Sequence, residues 1–328
     1  MNVRAKGEVY LDAYLKPLAP WLAAPDVTDI LVNRPGEVWV ERLGEGLRLH
    51  IVPELDAPCL WRLATQVAAA ADQGVSREHP LLAAALPSGE RVQVVAPPAT
   101  RGDMAIAIRK PAVRNMRLED FNLDSAVTLS SQDEDADLQA LLDAGEVTTF
   151  LKRAVRARKN IVISGGTSSG KTTFLNALAE EIPSDERLIL IEDAPEVRCA
   201  QPNVVGLLAP RGGQGEARIK AEDLLQASLR LRPDRIILGE LRGAEAFSFL
   251  RAVNSGHPGS LTTVHADTPA AALDQIALMV MQSGANLGRA EIIEYVHSVV
   301  EVAVQLARVE GRRRVTRVEF RPRPILAA

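Results

Sequence analysis

Ser164-Gly165-Gly166-Thr167-Ser168-Ser169-Gly170-Lys171-Thr172-Thr173 fits the pattern G-x-x-x-x-G-K-[ST]. An apolar run, Asn160-Ile161-Val162-Ile163, precedes it, and a helix-forming run, Thr173-Phe174-Leu175-Asn176-Ala177-Leu178-Ala179, follows. Strand, glycine-rich loop and helix in that order are the context in which the motif cradles phosphate. Glycines let the backbone curl so that its N–H groups face phosphate oxygens, and the positive end of the following helix adds to the field. In that reading Gly165, Gly166, Thr167, Ser168, Ser169, Gly170, Lys171, Thr172 and Thr173 bind nucleotide. Lys171 reaches the β- and γ-phosphates, and the Thr172 hydroxyl ligates Mg²⁺. The bland competitor is a Gly/Ser turn ahead of a helix, and the flanking strand and helix weigh against it.

Working outward, residues from about 146 alternate strand and helix. Apolar strands are expected at 161–164, 188–191, 236–238 and 261–264, with helices over 172–182, 222–232, 243–255 and 269–283. That alternation implies parallel βαβ units in a doubly wound sheet. Val299–Arg308 and Arg314–Phe320 close the chain as a hairpin around Glu310-Gly311, with Arg312-Arg313-Arg314 read as a solvated turn. Residues 1–113 read as a small mixed α/β domain: a helix over Leu11–Leu22 broken by a proline, a hairpin around Arg34-Pro35-Gly36, a helix from Pro58 to Ala71, and strands at 90–95 and 104–109. Residues 114–145 read as a linker carrying one or two short helices, and its run Asp133-Glu134-Asp135-Ala136-Asp137 as a solvated surface. The third segment, 146–328, is expected to form the nucleotide-binding P-loop domain.

Composition narrows the class. A length of 328 residues suits two domains, and 47% apolar residues suffice for well-filled cores. The formal charge of −4 leaves no whole-chain footprint for nucleic acid, so direct binding to it is not expected. Two cysteines, Cys59 and Cys199, make neither a disulfide framework nor a zinc cage, which points to a reducing cytoplasm. No run of about 18 apolar residues is present to span a membrane, and Lys16 and Pro17 interrupt any signal-like stretch.

Ligands of doubly wound sheets sit at the carboxyl ends of the strands, so motifs that follow strands are site candidates. Glu192 and Asp193 follow one strand; they polarise water or hold the metal's hydration shell, or else form a capping turn. Glu240 ends Arg235-Ile236-Ile237-Leu238-Gly239-Glu240 and orients or deprotonates the attacking water, or else pairs with Arg242. Gly239 stands where many such NTPases carry Asp, so metal ligation rests on Thr172, phosphate and water. His265 ends another strand, where it senses the γ-phosphate or is a packed side chain. His257 reads as a turn residue.

These clusters together resemble the hexameric traffic ATPases of bacterial type IV secretion, relatives of type II secretion and type IV pilus motors. The resemblance rests on the phosphate loop, on Glu192-Asp193-Ala194-Pro195-Glu196, on Leu231 to Glu240, and on Ser255-Gly256-His257-Pro258-Gly259-Ser260-Leu261-Thr262-Thr263-Val264-His265-Ala266. Val38-Trp39-Val40-Glu41, Ile108-Arg109-Lys110-Pro111 and Ala277 to Ser283 are also similar to that family. It implies a RecA-like ATPase domain beneath a small N-terminal domain, ATP and Mg²⁺ as cofactors, and a homohexameric ring. Its partners would be the inner-membrane and cytoplasmic components of a secretion machine, with the protein held peripherally on the cytoplasmic face of the inner membrane. By resemblance Arg109, and with it Arg91, would reach the phosphates, in cis or in trans; both are otherwise surface arginines on strands. Three rivals remain open: a P-loop small-molecule kinase, which needs an acceptor site and a lid; a RecA-type nucleic-acid translocase, which needs a basic channel; and a scaffold that does not hydrolyse.

Overall fold

The computed structural model describes residues 6–111, 131–210 and 215–322. The chain opens with α1 (Lys6–Leu15), α2 (Ala19–Ala23), β1 (Val27–Arg34), β2 (Glu37–Arg42), β3 (Arg48–Ile51), α3 (Ala57–Ala70), β4 (Leu81–Ala85), β5 (Arg91–Val95) and β6 (Ala105–Arg109). The strands form one antiparallel sheet in the order β3-β2-β1-β6-β5-β4. The period of two decides what each face does. Ile30, Val32, Val38, Val40, Ile106 and Ile108 share a core with the helices, whereas Leu31, Trp39, Ala105 and Ala107 fall in a buried cluster continuous with the second sheet. The α3 stripe Leu60, Leu63, Ala64, Val67 and Ala68 follows helical spacing, and the Asp56 carboxylate caps the helix by accepting from Cys59 N–H at 2.7 Å.

The second half runs α4 (Ser131–Asp143), α5 (Val147–Arg156), β7 (Ile161–Gly165), α6 (Lys171–Ala179), β8 (Leu188–Glu192), β9 (Val204–Leu208), α7 (Ala221–Ser228), β10 (Arg235–Leu241), α8 (Glu245–Asn254), β11 (Leu261–Val264), α9 (Pro269–Gln282), α10 (Arg289–Val299), β12 (Val302–Val309) and β13 (Arg312–Phe320). The sheet order is β13-β12-β7-β11-β10-β8-β9, parallel throughout except for the β13 edge. Strands β7, β8 and β11 are buried along their whole length, as a sheet covered on both faces requires.

Three expectations change. Val299 ends α10 rather than opening a strand, and β12 pairs with β7 as well as with β13, so the terminal hairpin extends the parallel sheet. Residues 131–143, in the segment expected to carry one or two short helices, form α4, and the difference is that its Leu138 is fully buried against the core of the second sheet. The acidic run is not wholly solvated either. Asp135 meets the Lys159 ammonium at 2.5 Å, and Lys159, itself buried, also pairs with Glu301 at 3.2 Å. The apolar residue three positions after Asp135 makes the acidic segment an amphipathic helix, which decides its docking.

Polar contacts tie the two sheets together. Arg232 donates to both carboxylate oxygens of Glu41, from Nε at 2.6 Å. Buried Arg187 donates to Asn33 Oδ1 at 2.7 Å and to the Leu231 carbonyl at 2.8 Å. Burial is the main cause that depresses the Arg187 guanidinium to about 9.

Candidate functional site: a phosphate-loop cleft

β7 ends at Gly165 and α6 begins at Lys171, so the loop between them rises from the carboxyl end of the sheet. Two glycines are required there by space and backbone. A Cβ on Gly165 would lie 2.5 Å from Ser169 Oγ and 2.6 Å from the Leu306 carbonyl oxygen. Gly170 has φ +94°, and a Cβ there would lie 2.7 Å from Arg313 Cδ. The loop borders a cleft of about 700 Å³ whose other walls carry Glu192, Glu196, Glu240, Arg242, His265 and Arg313.

Lys171 Nζ donates to the Gly165 carbonyl at 2.8 Å and the Gly166 carbonyl at 3.3 Å, curling back over the loop it serves. Burial, the largest cause, pushes its pKa down, and the Glu240 charge pulls it back up. The Thr172 hydroxyl donates to Glu196 Oε2 at 3.3 Å. A hydroxyl and a carboxylate side by side are the hard oxygen donors that Mg²⁺ selects, so these residues fit the metal.

Glu240 forms the pair with Arg242 that the sequence offered as its alternative, and it also lies near His265, which the sequence did not place beside it. Arg242 Nη2 pairs with Oε2, and His265 Nε2 lies 3.6 Å from Oε1. Oε1 is buried without a hydrogen-bond partner among the described residues. Arg242 also reaches Asp193 Oδ2 at 3.2 Å, and its pKa rises chiefly through the Glu240 bond. A Cβ on Gly239 would lie in ordinary van der Waals contact with Glu192 Cγ, at 3.4 Å.

Glu192 is placed differently from a water-activating base. Its Oε1 accepts from the backbone N–H groups of Glu196 at 2.9 Å and Val197 at 2.7 Å, and its Oε2 pairs with Arg101. Both oxygens are engaged and the side chain is 2% exposed. Arg109 and Arg91 are not in the cleft of their own chain. They face each other in register on β6 and β5 and line a second cleft of about 470 Å³ with Asp29, Arg230 and Arg232. Arg109 Nε is 3.8 Å from Asp29 Oδ1; burial raises the Asp29 pKa, and the Arg109 charge opposes it. His257 is a turn residue as expected, donating from Nδ1 to the Pro233 carbonyl at 2.9 Å.

Sequence reasoning missed two cleft residues, Glu196 and Arg313, as well as Arg101, which braces the cleft wall through Glu192. Glu196 was in view as part of a motif but had no assigned partner. Arg313 lies in the basic run read as a solvated turn; it is exposed, yet it leans on Gly170. Arg101 follows the Pro97-Pro98 turn, and nothing in its local sequence marks it.

Comparison with known proteins agrees with this geometry. The family model described as "Type II/IV secretion system protein" matches residues 13–319. The type IV secretion system protein VirB11 of Bartonella henselae is 40% identical, covering 94% of this chain and 92% of that protein. PtlH of Bordetella pertussis, also a type IV secretion system protein, is 41% identical over 95% of both chains. The crystal structure of the Brucella suis VirB11 ATPase in complex with sulphate superposes with a TM-score of 0.89 at 39% identity, covering 97% of this chain and 96% of that one.

Proposed function

The chain belongs to the type II/IV secretion system protein family, and from that premise we propose that it is the ATP-hydrolysing motor of a type IV secretion machine, working as a ring of six. The observation that carries the reading is the single cleft that gathers the phosphate loop, Lys171, Thr172 and Glu240 at the carboxyl ends of β7 and β10.

Loop N–H groups from Gly166 to Thr173 hold the β- and γ-phosphates, and Lys171 exchanges its carbonyl partners for phosphate oxygens. Thr172 and Glu196 would hold Mg²⁺, which would supply charge neutralisation to the phosphates. Glu240 Oε1 orients the attacking water and accepts its proton, and His265 beside it reads whether the γ-phosphate is present. Arg242 keeps Glu240 turned toward the cleft. Arg313 closes over the loop at Gly170.

Arg91 and Arg109 act in trans in this reading. Their cleft, with Arg230, presents three guanidinium groups away from their own phosphate loop, while Arg232 beside them is committed to Glu41 and Asp234, and a neighbouring subunit's phosphates are the anion the three suit. A guanidinium supplied to a transferring phosphoryl group is worth about 10³–10⁵ in rate. Cycles of phosphate-held closure and release then move the N-terminal sheets, an order–disorder switch of the γ-phosphate kind. Among the described residues no helix is long and apolar enough to cross a membrane. Docking to the cytoplasmic face of the inner membrane is therefore assigned to partner components.

Two measurements test the reading. Lys171→Ala should abolish ATP turnover; retained turnover overturns it. Light scattering with a slowly hydrolysed ATP analogue should give a particle near six protomers, and a strict monomer removes the ring.

A further inference from the structure

Arg101, from the N-terminal half, reaches Glu192 and Val197 in the wall of the phosphate-loop cleft. The connection between β5 and β6 adds itself to the free edge of β9. Arg101 N–H donates to the Gly206 carbonyl at 2.9 Å, Leu208 N–H donates to the Ala99 carbonyl at 2.8 Å, and Thr100 bridges Leu207 in antiparallel fashion. These bonds hold the Arg101 backbone across the boundary between the sheets. Gly206 clears the way for the side chain, since a Cβ there would lie 2.3 Å from Arg101 Cδ.

The guanidinium pairs with Glu192 Oε2 and donates to the Val197 carbonyl at 2.9 Å. The opposite carboxylate oxygen of Glu192 accepts two backbone N–H groups, those of Glu196 and Val197. The turn after β8 is thus wrapped around one buried carboxylate whose counter-charge comes from the other half of the protein. That turn delivers Glu196, whose Oε2 receives the Thr172 hydroxyl at 3.3 Å. Asn176 braces it from α6, donating to the Glu196 carbonyl at 3.3 Å and accepting from Arg198 N–H at 3.0 Å.

A buried carboxylate without its partner charge is costly, and it relieves that cost by moving toward water. Such a movement slackens the two N–H bonds that set the turn. We infer that Arg101 is a positioning residue: through Glu192 it sets the Glu196 carboxylate beside Thr172, so that the seating of the N-terminal sheet governs how well the site holds nucleotide together with Mg²⁺. The inference rests on the ATPase reading and deepens it. Residues that support a metal's ligands without touching the metal commonly change its affinity by about 10–100-fold when removed.

The test is equilibrium binding of a fluorescent ADP analogue to the full chain, once with excess Mg²⁺ and once with EDTA. The variants are R101A, R101K and E196Q, with thermal unfolding of each recorded alongside. The Mg²⁺-dependent gain in affinity should fall about tenfold or more in R101A, with affinity in EDTA nearly unchanged. R101K should recover part of the gain, because an ammonium neutralises Glu192 but does not span to the Val197 carbonyl as well. The double variant R101A/E196Q should be no worse than the weaker single one, as expected for residues on one relay. Equal weakening in Mg²⁺ and in EDTA overturns the inference and leaves Arg101 as a tie between the sheets, and so does unchanged affinity in both. If R101A does not fold, R101K carries the same comparison with a smaller split. A wild-type chain that binds no analogue overturns the ATPase reading itself.

Discussion

Glu240 Oε1 and His265 Nε2 lie 3.6 Å apart at the mouth of the phosphate-loop cleft, one from the end of β10 and the other just past β11. The strands are neighbours, locked further by the Thr263 hydroxyl donating to the Gly239 carbonyl at 2.9 Å. An acid and an imidazole so held have one free carboxylate oxygen between them, since Arg242 occupies the other.

Glu240→Gln should therefore separate binding from chemistry. Gln keeps the size and the contact with His265 but does not accept a proton. ATP affinity should stay within a few-fold of wild type while turnover falls by about 10²–10⁴. Single-turnover hydrolysis beside nucleotide binding checks this. Turnover within tenfold of wild type would assign the base elsewhere.

Arg109→Ala and Lys171→Ala should each be inactive alone, and mixed rings of the two should recover part of the turnover. In a mixed ring the Arg109→Ala subunit contributes an intact phosphate loop, and its Lys171→Ala neighbour contributes the arginine. Recovery on mixing supports action between subunits. A mixture as inactive as its parts assigns Arg109 to its own subunit or to no catalytic role.

Arg235 is fully buried and forks onto Glu186, with Nε to Oε2 at 2.6 Å and Nη2 to Oε1 at 2.8 Å. It also donates to the Val155 carbonyl at 2.6 Å. Arg235→Ala would leave the buried Glu186 carboxylate with only the partly exposed Arg158 as counter-charge and the Val155 carbonyl without this donor, and should cost about 3 kcal/mol of stability. Chemical denaturation measures it. A loss under about 1 kcal/mol would mean that Glu186 finds solvent or Arg158, which stands 3.1 Å away.

Stability should also fall on the acid side through His257. Burial, the largest cause, lowers its pKa; the Pro233 carbonyl and Asp234 oppose the shift and Arg232 adds to it. With the folded value below the ordinary one of about 6.5, the unfolded chain binds the proton more readily. The contribution is present above that pH and is lost as pH falls through the folded value. His297 shifts in the same direction, so removing one histidine removes part of the slope. Thermal unfolding between about pH 5 and 8 should show a shallower acid decline in His257→Asn than in wild type. Parallel curves would locate the titration elsewhere.

The parallel sheet was legible because its strands are short apolar runs separated by helical spacing, as at Ile161 to Ile163 and Leu188 to Ile191. α10 and β9 were missed. The apolar residues of α10, Ile292, Val296 and Val299, are interleaved with a glutamate, a tyrosine and a histidine, and β9 is a sheet edge with only alternate residues buried. The acidic α4 was read from its charges, whereas the burial of Leu138 decides where it sits.

By itself the sequence determined the phosphate loop, the strand-end acid Glu240 and the strand-end His265. Each depends on a glycine pattern or a strand terminus a few residues away, which local backbone geometry settles. Only the tertiary structure decided which arginines accompany them. Arg101 meets Glu192 across 91 positions of chain, and it does so because the β5–β6 connection pairs with the β9 edge. Arg109, on a strand that local pattern placed correctly, faces Asp29 and a different cleft. Contacts between distant segments depend on how the two sheets meet, here at the β9 edge, and no residue near Arg101 or Arg109 carries that information.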